Sequence, residues 1–159
     1  MSVLVKPTLA LPPRTPESAK ISLLYAGVLV LMAVAQLFTF EDFIVYVNSL
    51  GLPLSPEATY LVAPLLVVCE VFALPFLLRM WLSPAFRAVS MFLGWAAAGL
   101  WISLTVWIVA AGAPVSTIGF LGTLVDLMPG YWAICVSLAF GILAAWSSWG
   151  LWPGKRTDK

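Results

Sequence analysis

The sequence predicts an all-α protein, a polytopic membrane bundle of four helices. Of its 159 residues, 62% are hydrophobic and only 9% are charged, whereas soluble domains carry about 25% charged residues. Four apolar runs each have about the 20 residues that a helix needs to cross the hydrocarbon core of a bilayer. These spans and their connections use nearly all of the length, so we expect no separate soluble catalytic domain in this sequence.

The predicted organisation has three parts. A proline-rich cytoplasmic arm of residues 1–20 comes first, a single transmembrane domain of residues 21–152 follows, and a basic tail of residues 153–159 ends the sequence. Hydroxyl-proline pairs mark three helix starts, because the hydroxyl caps backbone N–H groups and proline at the first helical position has no N–H to lose. These pairs are Thr15-Pro16, Ser55-Pro56 and Ser83-Pro84. The predicted spans are 21–40, 58–78, 89–111 and 131–150.

Positive charge separates the two sides of the predicted bundle. The two outer connections, 41–57 and 112–130, contain no Lys or Arg. By the positive-inside rule, the side that carries the basic residues is cytoplasmic. We therefore predict that the N-terminus, the C-terminus and the connection between the second and third spans are cytoplasmic. The basic residues on that side are Lys6, Arg14, Lys20, Arg79, Arg87, Lys155, Arg156 and Lys159.

Each outer connection is largely apolar and has 17 to 19 residues. Structureless loops of that length are uncommon in compact domains, so we expect a short interfacial helix in both. In the first connection, Phe43, Tyr46, Val47 and Leu50 recur at i, i+3, i+4 and i+7. This spacing is typical of an amphipathic helix.

Several classes of chemistry are absent from this sequence. It contains no histidine, which excludes a His-ligated haem, His-based metal sites and a Ser-His-Asp triad within this chain. A net charge of +1 gives no basic field that would attract nucleic acid. We therefore expect no nucleic-acid partner.

The cysteines and the outer acids also favour simple roles. Cys69 and Cys135 do not form a C-x-x-C motif, and their predicted depths differ by too much for a disulfide, so we expect two buried structural thiols. We expect the outer carboxylates to face water and to bind no metal. These carboxylates are Glu41, Asp42, Glu57 and Asp126.

Glu70 is the candidate catalytic residue. It lies near the middle of the second span, and Arg79 is nine residues away, which is about 13 Å along a helix. An unpaired carboxylate at the bilayer centre costs about 3 kcal/mol. We therefore expect a protonated Glu70 that faces the bundle interior and donates a hydrogen bond. Two roles remain open: proton relay or ligand contact, and a structural hydrogen bond between helices.

Two prolines flank Glu70 in the same span. Pro64 and Pro75 each remove one helical hydrogen bond, which frees the carbonyls of Tyr60 and Val71. The resulting kinks would shape a small concave site at Glu70. The alternative is that the prolines only curve the helix.

Trp95 and Trp101 lie deep in the third span. Each indole N–H needs a partner when buried. With Glu70, the two tryptophans are therefore candidate ligand-binding residues. The alternative is that each indole packs against a neighbouring helix.

Small residues predict where the helices meet. In the fourth span, Ala133, Ser137, Gly141 and Ala145 follow one another at every fourth position, and such faces let helices approach closely in lipid. The third span has Gly94 with Ala98, and Gly99 with Ser103, at the same spacing. We expect the third and fourth spans to pack together, and the same faces could instead bind another membrane subunit or a second copy of the chain.

The stretch from residue 35 to residue 95 resembles the DoxX-like superfamily of small four-helix bacterial membrane proteins, which includes the MauE proteins. The first span ends in a polar-aromatic run, the second contains a central acid, and a short basic turn leads to the third. In this sequence Val71-Phe72-Ala73-Leu74-Pro75 follows the acid, where the commoner family pattern has glycines. The features that carry the resemblance are Gln36-Leu37-Phe38-Thr39-Phe40, Phe43-x-x-Tyr46, Leu52-Pro53, Glu70, and Arg79 to Arg87.

The resemblance implies a multi-pass protein of the bacterial cytoplasmic (inner) membrane with a redox association. Members include a subunit of thiosulfate:quinone oxidoreductase and proteins that help disulfides to form during enzyme maturation. We therefore expect an accessory or anchoring subunit of a redox-associated membrane complex, without catalytic activity of its own. One alternative is a quinone-linked oxidoreductase subunit that uses Glu70 in proton transfer, with quinone as the cofactor. Another is a small transporter or channel.

Overall fold

A computed structural model describes residues 8, 10 and 12–152 of the chain. Within these residues the only β pairing is one isolated bridge between Thr8 and Leu82. Four helices are long and apolar enough to cross a membrane, whereas a fifth, Phe40–Ser49, has only 10 residues. The predicted class, an all-helical protein with four candidate spans, is confirmed. The helices are α1 (Pro16–Phe38), α2 (Phe40–Ser49), α3 (Pro56–Leu77), α4 (Pro84–Ala111) and α5 (Tyr131–Gly150).

The hydroxyl-proline pairs set the starts of three helices. The side chains of Thr15, Ser55 and Ser83 each accept a hydrogen bond from a backbone N–H in the first turn. As a result, α1 and α4 begin five residues before the predicted spans. Residues 16–20 therefore belong to a helix and not to an extended arm.

The four long helices close into a ring. Each packs on its neighbours in the order α1, α3, α4, α5, and α5 packs back on α1. The small-residue stripe of α5 is used inside this ring: Ser137 Oγ lies 2.9 Å from Thr105 Oγ1 of α4. A Cβ on Gly141 would lie 3.3 Å from Ile102. The predicted contact between the third and fourth spans is therefore present.

Both described ends of the chain lie at one end of the ring. The backbone N–H of Thr8 donates to the Leu82 carbonyl in the α3–α4 turn, and that of Arg14 donates to the Gly150 carbonyl at the end of α5, each over 3.1 Å. We call the opposite end the outer end. The assignment of membrane sides stays a prediction from the charges. Lys6 and the predicted tail of residues 153–159 lie outside the described residues.

The first outer connection contains a helix, as predicted. The apolar face of α2 is buried: Phe43, Tyr46 and Val47 are at most 9% exposed, and so is Leu50, which caps the end of the helix. It packs mainly on α3. The amphipathic pattern thus reflects contact with the protein rather than contact with a bilayer surface.

The prediction of a helix in the second outer connection is wrong. Residues 112–130, here named the plug loop, contain only turns and irregular backbone. Gly112, Gly119 and Gly122 have φ values of +58°, +80° and +58°, and the left-handed conformation interrupts a right-handed helix. The loop buries Ile118 and Phe120 at the outer end of the bundle, so its apolar residues fill the core.

Candidate functional site

The Glu70 carboxyl is held by side chains from two neighbouring helices. Its Oε1 accepts a hydrogen bond of 2.7 Å from Trp101 Nε1 of α4 and one of 3.2 Å from Gln36 Nε2 of α1. Glu70 and Gln36 have no exposed surface, and Trp101 is 1% exposed. One carboxyl on α3 therefore joins three of the four long helices.

Gln36 extends this contact to the plug loop. Its Nε2 also donates to the Phe120 carbonyl over 3.3 Å. The amide thus lies between the Glu70 carboxyl and an irregular backbone segment at the outer end. A backbone carbonyl at this depth is tolerated because protein surrounds it and supplies a donor.

Aromatic rings close the space beside the carboxyl. The Phe120 ring lies 4.8 Å from the Trp101 ring and 5.5 Å from the Phe140 ring, measured between centroids. Trp132 lies 6.4 Å away on the outer side. Tilted and edge-to-face arrangements like these are favourable for aromatic pairs. Phe120 therefore anchors the plug loop in a slot between α4 and α5.

Two buried oxygen atoms at this site have no hydrogen-bond partner among the described residues: Glu70 Oε2 and Gln36 Oε1. A carboxylate and an amide carbonyl are both acceptors. Buried polar atoms are usually paired. Each of these two hydrogen-bonded side chains therefore carries one buried acceptor that a donor could satisfy.

On the inner side of Glu70, side-chain hydroxyls form hydrogen bonds to the backbones of neighbouring helices. The Tyr25 hydroxyl donates to the Gly94 carbonyl over 2.9 Å. Just after Pro75, the Ser90 hydroxyl accepts from the Phe76 N–H over 3.0 Å and donates to the Phe72 carbonyl over 2.6 Å. The α4 side chain thereby satisfies α3 backbone groups beside the proline.

The plug loop is also tied to α2 and to the end of α1. The Tyr46 hydroxyl donates to the Thr117 carbonyl over 2.9 Å, and the Thr123 N–H donates to Thr39 Oγ1 over 3.2 Å. Burial raises the pKa of the Tyr46 phenol, which keeps it a donor. A Cβ on Gly122 would lie 2.5 Å from Thr39 Oγ1, so the loop fits only with glycine there.

The structure separates the other predicted residues from this site. Trp95 is 43% exposed, and its indole donates to Ser148 Oγ over 3.2 Å. Cys69 and Cys135 are free thiols; Cys69 is buried, but Cys135 is exposed, which corrects the prediction of two buried thiols. The described residues include no group of three or more His, Cys, Asp or Glu side chains that could hold a metal ion.

Two of the side chains in this cluster are predictable from the sequence pattern, and the other contacts are not. Glu70 and Trp101 were predicted. Gln36 is indicated only by the family resemblance, although a polar amide near the end of an apolar span is itself a signal of an interior position. Nothing in the sequence pattern indicated that the Phe120 carbonyl would reach Gln36.

Comparisons with protein-family models, with curated proteins and with solved structures found no match for this chain. The resemblance to DoxX-like proteins gains no support from them and stays a prediction.

Proposed function

We propose that this chain is an accessory or anchoring subunit of a redox-associated membrane complex, without catalytic activity of its own. The supporting observation is the enclosure of Glu70. Its carboxyl has no exposed surface and is bonded to side chains of α1 and α4. A carboxyl in this position stabilises the contact of three helices. The redox association and the location in a bacterial inner membrane rest on the DoxX-like resemblance.

An exposed part of α4 suits a partner helix. Gly99 and Ser103 are exposed, and a Cβ on Gly99 would meet no atom within 4 Å. Beside them is an apolar groove of 260 Å³ between α4 and the connection from α2 to α3, lined by residues that include Leu52, Leu104 and Trp107. Small residues allow close approach of a second helix in lipid. We propose this face as the contact with another subunit or a second copy.

The test is purification from native membranes in lipid discs, followed by mass spectrometry of proteins and small molecules. We expect a partner, or a second copy, in fixed stoichiometry with the chain. Gly99→Leu should prevent the partner or second copy from binding, because the leucine side chain would fill the space at Gly99 that a second helix needs. Gly27→Leu is the matched control, because Gly27 is also an exposed helical glycine with no atom within 4 Å of an added Cβ. A wild-type chain that is monomeric and without partner would contradict the proposal.

The unpaired oxygens favour a second candidate function. Glu70 Oε2 and Gln36 Oε1 are buried acceptors that a proton donor would satisfy. A quinone-linked oxidoreductase subunit with Glu70 in proton transfer would use such atoms. Its expected signature is a stoichiometric quinone in the purified wild type that is lost in Glu70→Gln. Quinone content that Glu70→Gln leaves unchanged would exclude this role for Glu70.

A further inference from the structure

The two unpaired oxygens belong to side chains that already share a hydrogen bond. Gln36 Nε2 already donates to Glu70 Oε1 over 3.2 Å. Glu70 Oε2 and Gln36 Oε1 are the remaining atoms of the same two planar groups, and both lack partners. A protonated carboxyl is a donor as well as an acceptor. One proton on Oε2 would make this oxygen a donor, and the neighbouring side chain carries an acceptor without a partner, Gln36 Oε1.

The surroundings provide no cation that could neutralise Glu70 instead. The described basic residues, Arg14, Lys20, Arg79 and Arg87, belong to the inner end of the bundle. The titratable neighbours are the Tyr25 phenol of α1, which donates to Gly94, and the Cys69 thiol of α3. Asp126 of the plug loop is exposed. A buried charge without a partner is costly, so a proton is the neutralising species.

The plug loop lies between this pair and the outer end of the bundle. The Phe120 carbonyl contacts Gln36 directly, and the next residues of the loop reach the surface. Withdrawal of the loop would break the hydrogen bonds that tie it to α2 and α1, those of Tyr46 with Thr117 and of Thr123 with Thr39. Local opening of such a loop costs less free energy than unfolding of the whole bundle. The inner side is instead filled by helix packing around Tyr25, Ala73 and Gly94, where a Cβ on Gly94 would lie 3.5 Å from Ala73.

We propose that Glu70 and Gln36 form a proton-binding site that exchanges with the outer end of the bundle when the plug loop withdraws. The site binds one proton on the carboxyl, shared with the amide oxygen. This inference goes beyond both proposed functions. It concerns the protonation and access of Glu70, and it applies whether the chain anchors a partner or transfers protons to a ligand.

The first measurement is infrared spectroscopy of the purified protein in lipid discs at neutral pH. We expect a carbonyl band of a protonated carboxylic acid in the wild type that is missing from Glu70→Gln. This substitution keeps a neutral group with an acceptor oxygen for Trp101. Identical spectra in the carboxylic-acid region would overturn the proton-binding site.

The second measurement tests access with dicyclohexylcarbodiimide, an apolar reagent that modifies protonated carboxyls. Modification of Glu70 is followed by peptide mass spectrometry. We expect slow modification in the wild type and about tenfold faster modification in Gly122→Ala. A tenfold rise in the open population of the loop corresponds to a destabilisation of about 1.4 kcal/mol. The added methyl would collide with Thr39 and with the Ala35 carbonyl, and so displaces the plug loop.

Two glycine controls separate the plug loop from general strain. Gly51→Ala has nearly the same φ, +60°, but its Cβ would meet no atom within 4 Å. Gly150→Ala would collide with Ser18 at the inner end. Neither should speed the modification of Glu70. Equal acceleration by Gly150→Ala and Gly122→Ala would overturn access from the outer end.

Tyr46→Phe is the second variant, in case Gly122→Ala does not fold. It removes only the hydroxyl that donates to the Thr117 carbonyl of the plug loop. Faster modification of Glu70 in this variant supports the same conclusion. An unchanged rate in Tyr46→Phe and in any folded Gly122→Ala protein would show that the plug loop does not limit access.

Discussion

Glu70 combines two requirements that act on any polar residue inside a membrane span. Its carboxyl has to be paired, and Trp101 and Gln36 supply two donors. Its position on α3 has to face the interior, and it does so with no exposed surface. The sequence predicted the orientation, because an acid facing lipid is costly. It could not identify the partners, which lie 31 and 34 residues away along the chain.

Substitutions of Glu70 should separate packing from hydrogen bonding. Glu70→Leu leaves the Trp101 indole without its acceptor, and we expect a loss of about 2 kcal/mol in the free energy of unfolding. Glu70→Gln keeps an acceptor, so its loss should stay below about 1 kcal/mol. Reversible unfolding in mixed micelles measures both. Equal losses would mean that the Trp101 contact contributes nothing to stability.

Ser90 and Ser103 form a matched pair of hydroxyls on α4. Ser90 joins the Phe76 N–H to the Phe72 carbonyl of α3, whereas exposed Ser103 bonds the Gly99 carbonyl of its own helix. We expect Ser90→Ala to lower the free energy of unfolding by about 1 kcal/mol, and Ser103→Ala to change it by less than half as much. The same unfolding assay applies. A larger effect of Ser103→Ala would contradict this assignment.

At the scale of whole helices, the sequence predicts a helix boundary correctly where the signal depends only on neighbouring residues. The caps at Thr15, Ser55 and Ser83 fixed three helix starts, because a cap depends only on residues within one turn. The helix predicted in the plug loop is absent. Its length and apolar residues indicated a helix, but glycines at 112, 119 and 122 take left-handed backbone. Ile118 and Phe120 are apolar because they fill the outer end of the core.

The close packing of α5 on α1 predicts that a substitution at their contact lowers stability. Gly150 approaches Ser18 so closely that an added Cβ would collide with it, whereas a Cβ on Gly99 would meet open space. We expect Gly150→Ala to cost about 1 to 3 kcal/mol of stability through overpacking. Gly99→Ala should be neutral or stabilising by up to about 1 kcal/mol, since alanine is the better helix former. Thermal unfolding in detergent compares the two, and a destabilised Gly99→Ala would show that the α4 face is already occupied.

The described residues form an even number of long helices, four, which brings the two described ends to one end of the bundle. Backbone hydrogen bonds from Thr8 and Arg14 tie those ends to the α3–α4 turn and to α5. The charges then predict which side that end faces, since the outer connections contain no Lys or Arg. The position of the bundle in a membrane depends on these charges and on the apolar outer faces, and not on the internal site.

Cysteine labelling from one side of the membrane tests this orientation. In a Cys135→Ser background, Asp42→Cys should react with a membrane-impermeant reagent added outside intact cells, and Met80→Cys should react only after the cells are opened. Both native residues are exposed, at opposite ends of the bundle. The buried Cys69 should stay unlabelled. The reverse pattern would invert the predicted topology.

The sequence by itself determined the membrane class, the four spans, three helix starts and the inward orientation of Glu70. Each of these follows from composition, from periodicity or from interactions within one helical turn, all of which are local properties. Only the tertiary structure decided that Gln36 and Trp101 meet at Glu70, that Trp95 lies apart at the surface, and that residues 112–130 fill the core. Those contacts join residues from different helices and the plug loop. Which side chains meet depends on the rotation and depth of every packed element together, and no local pattern specifies that.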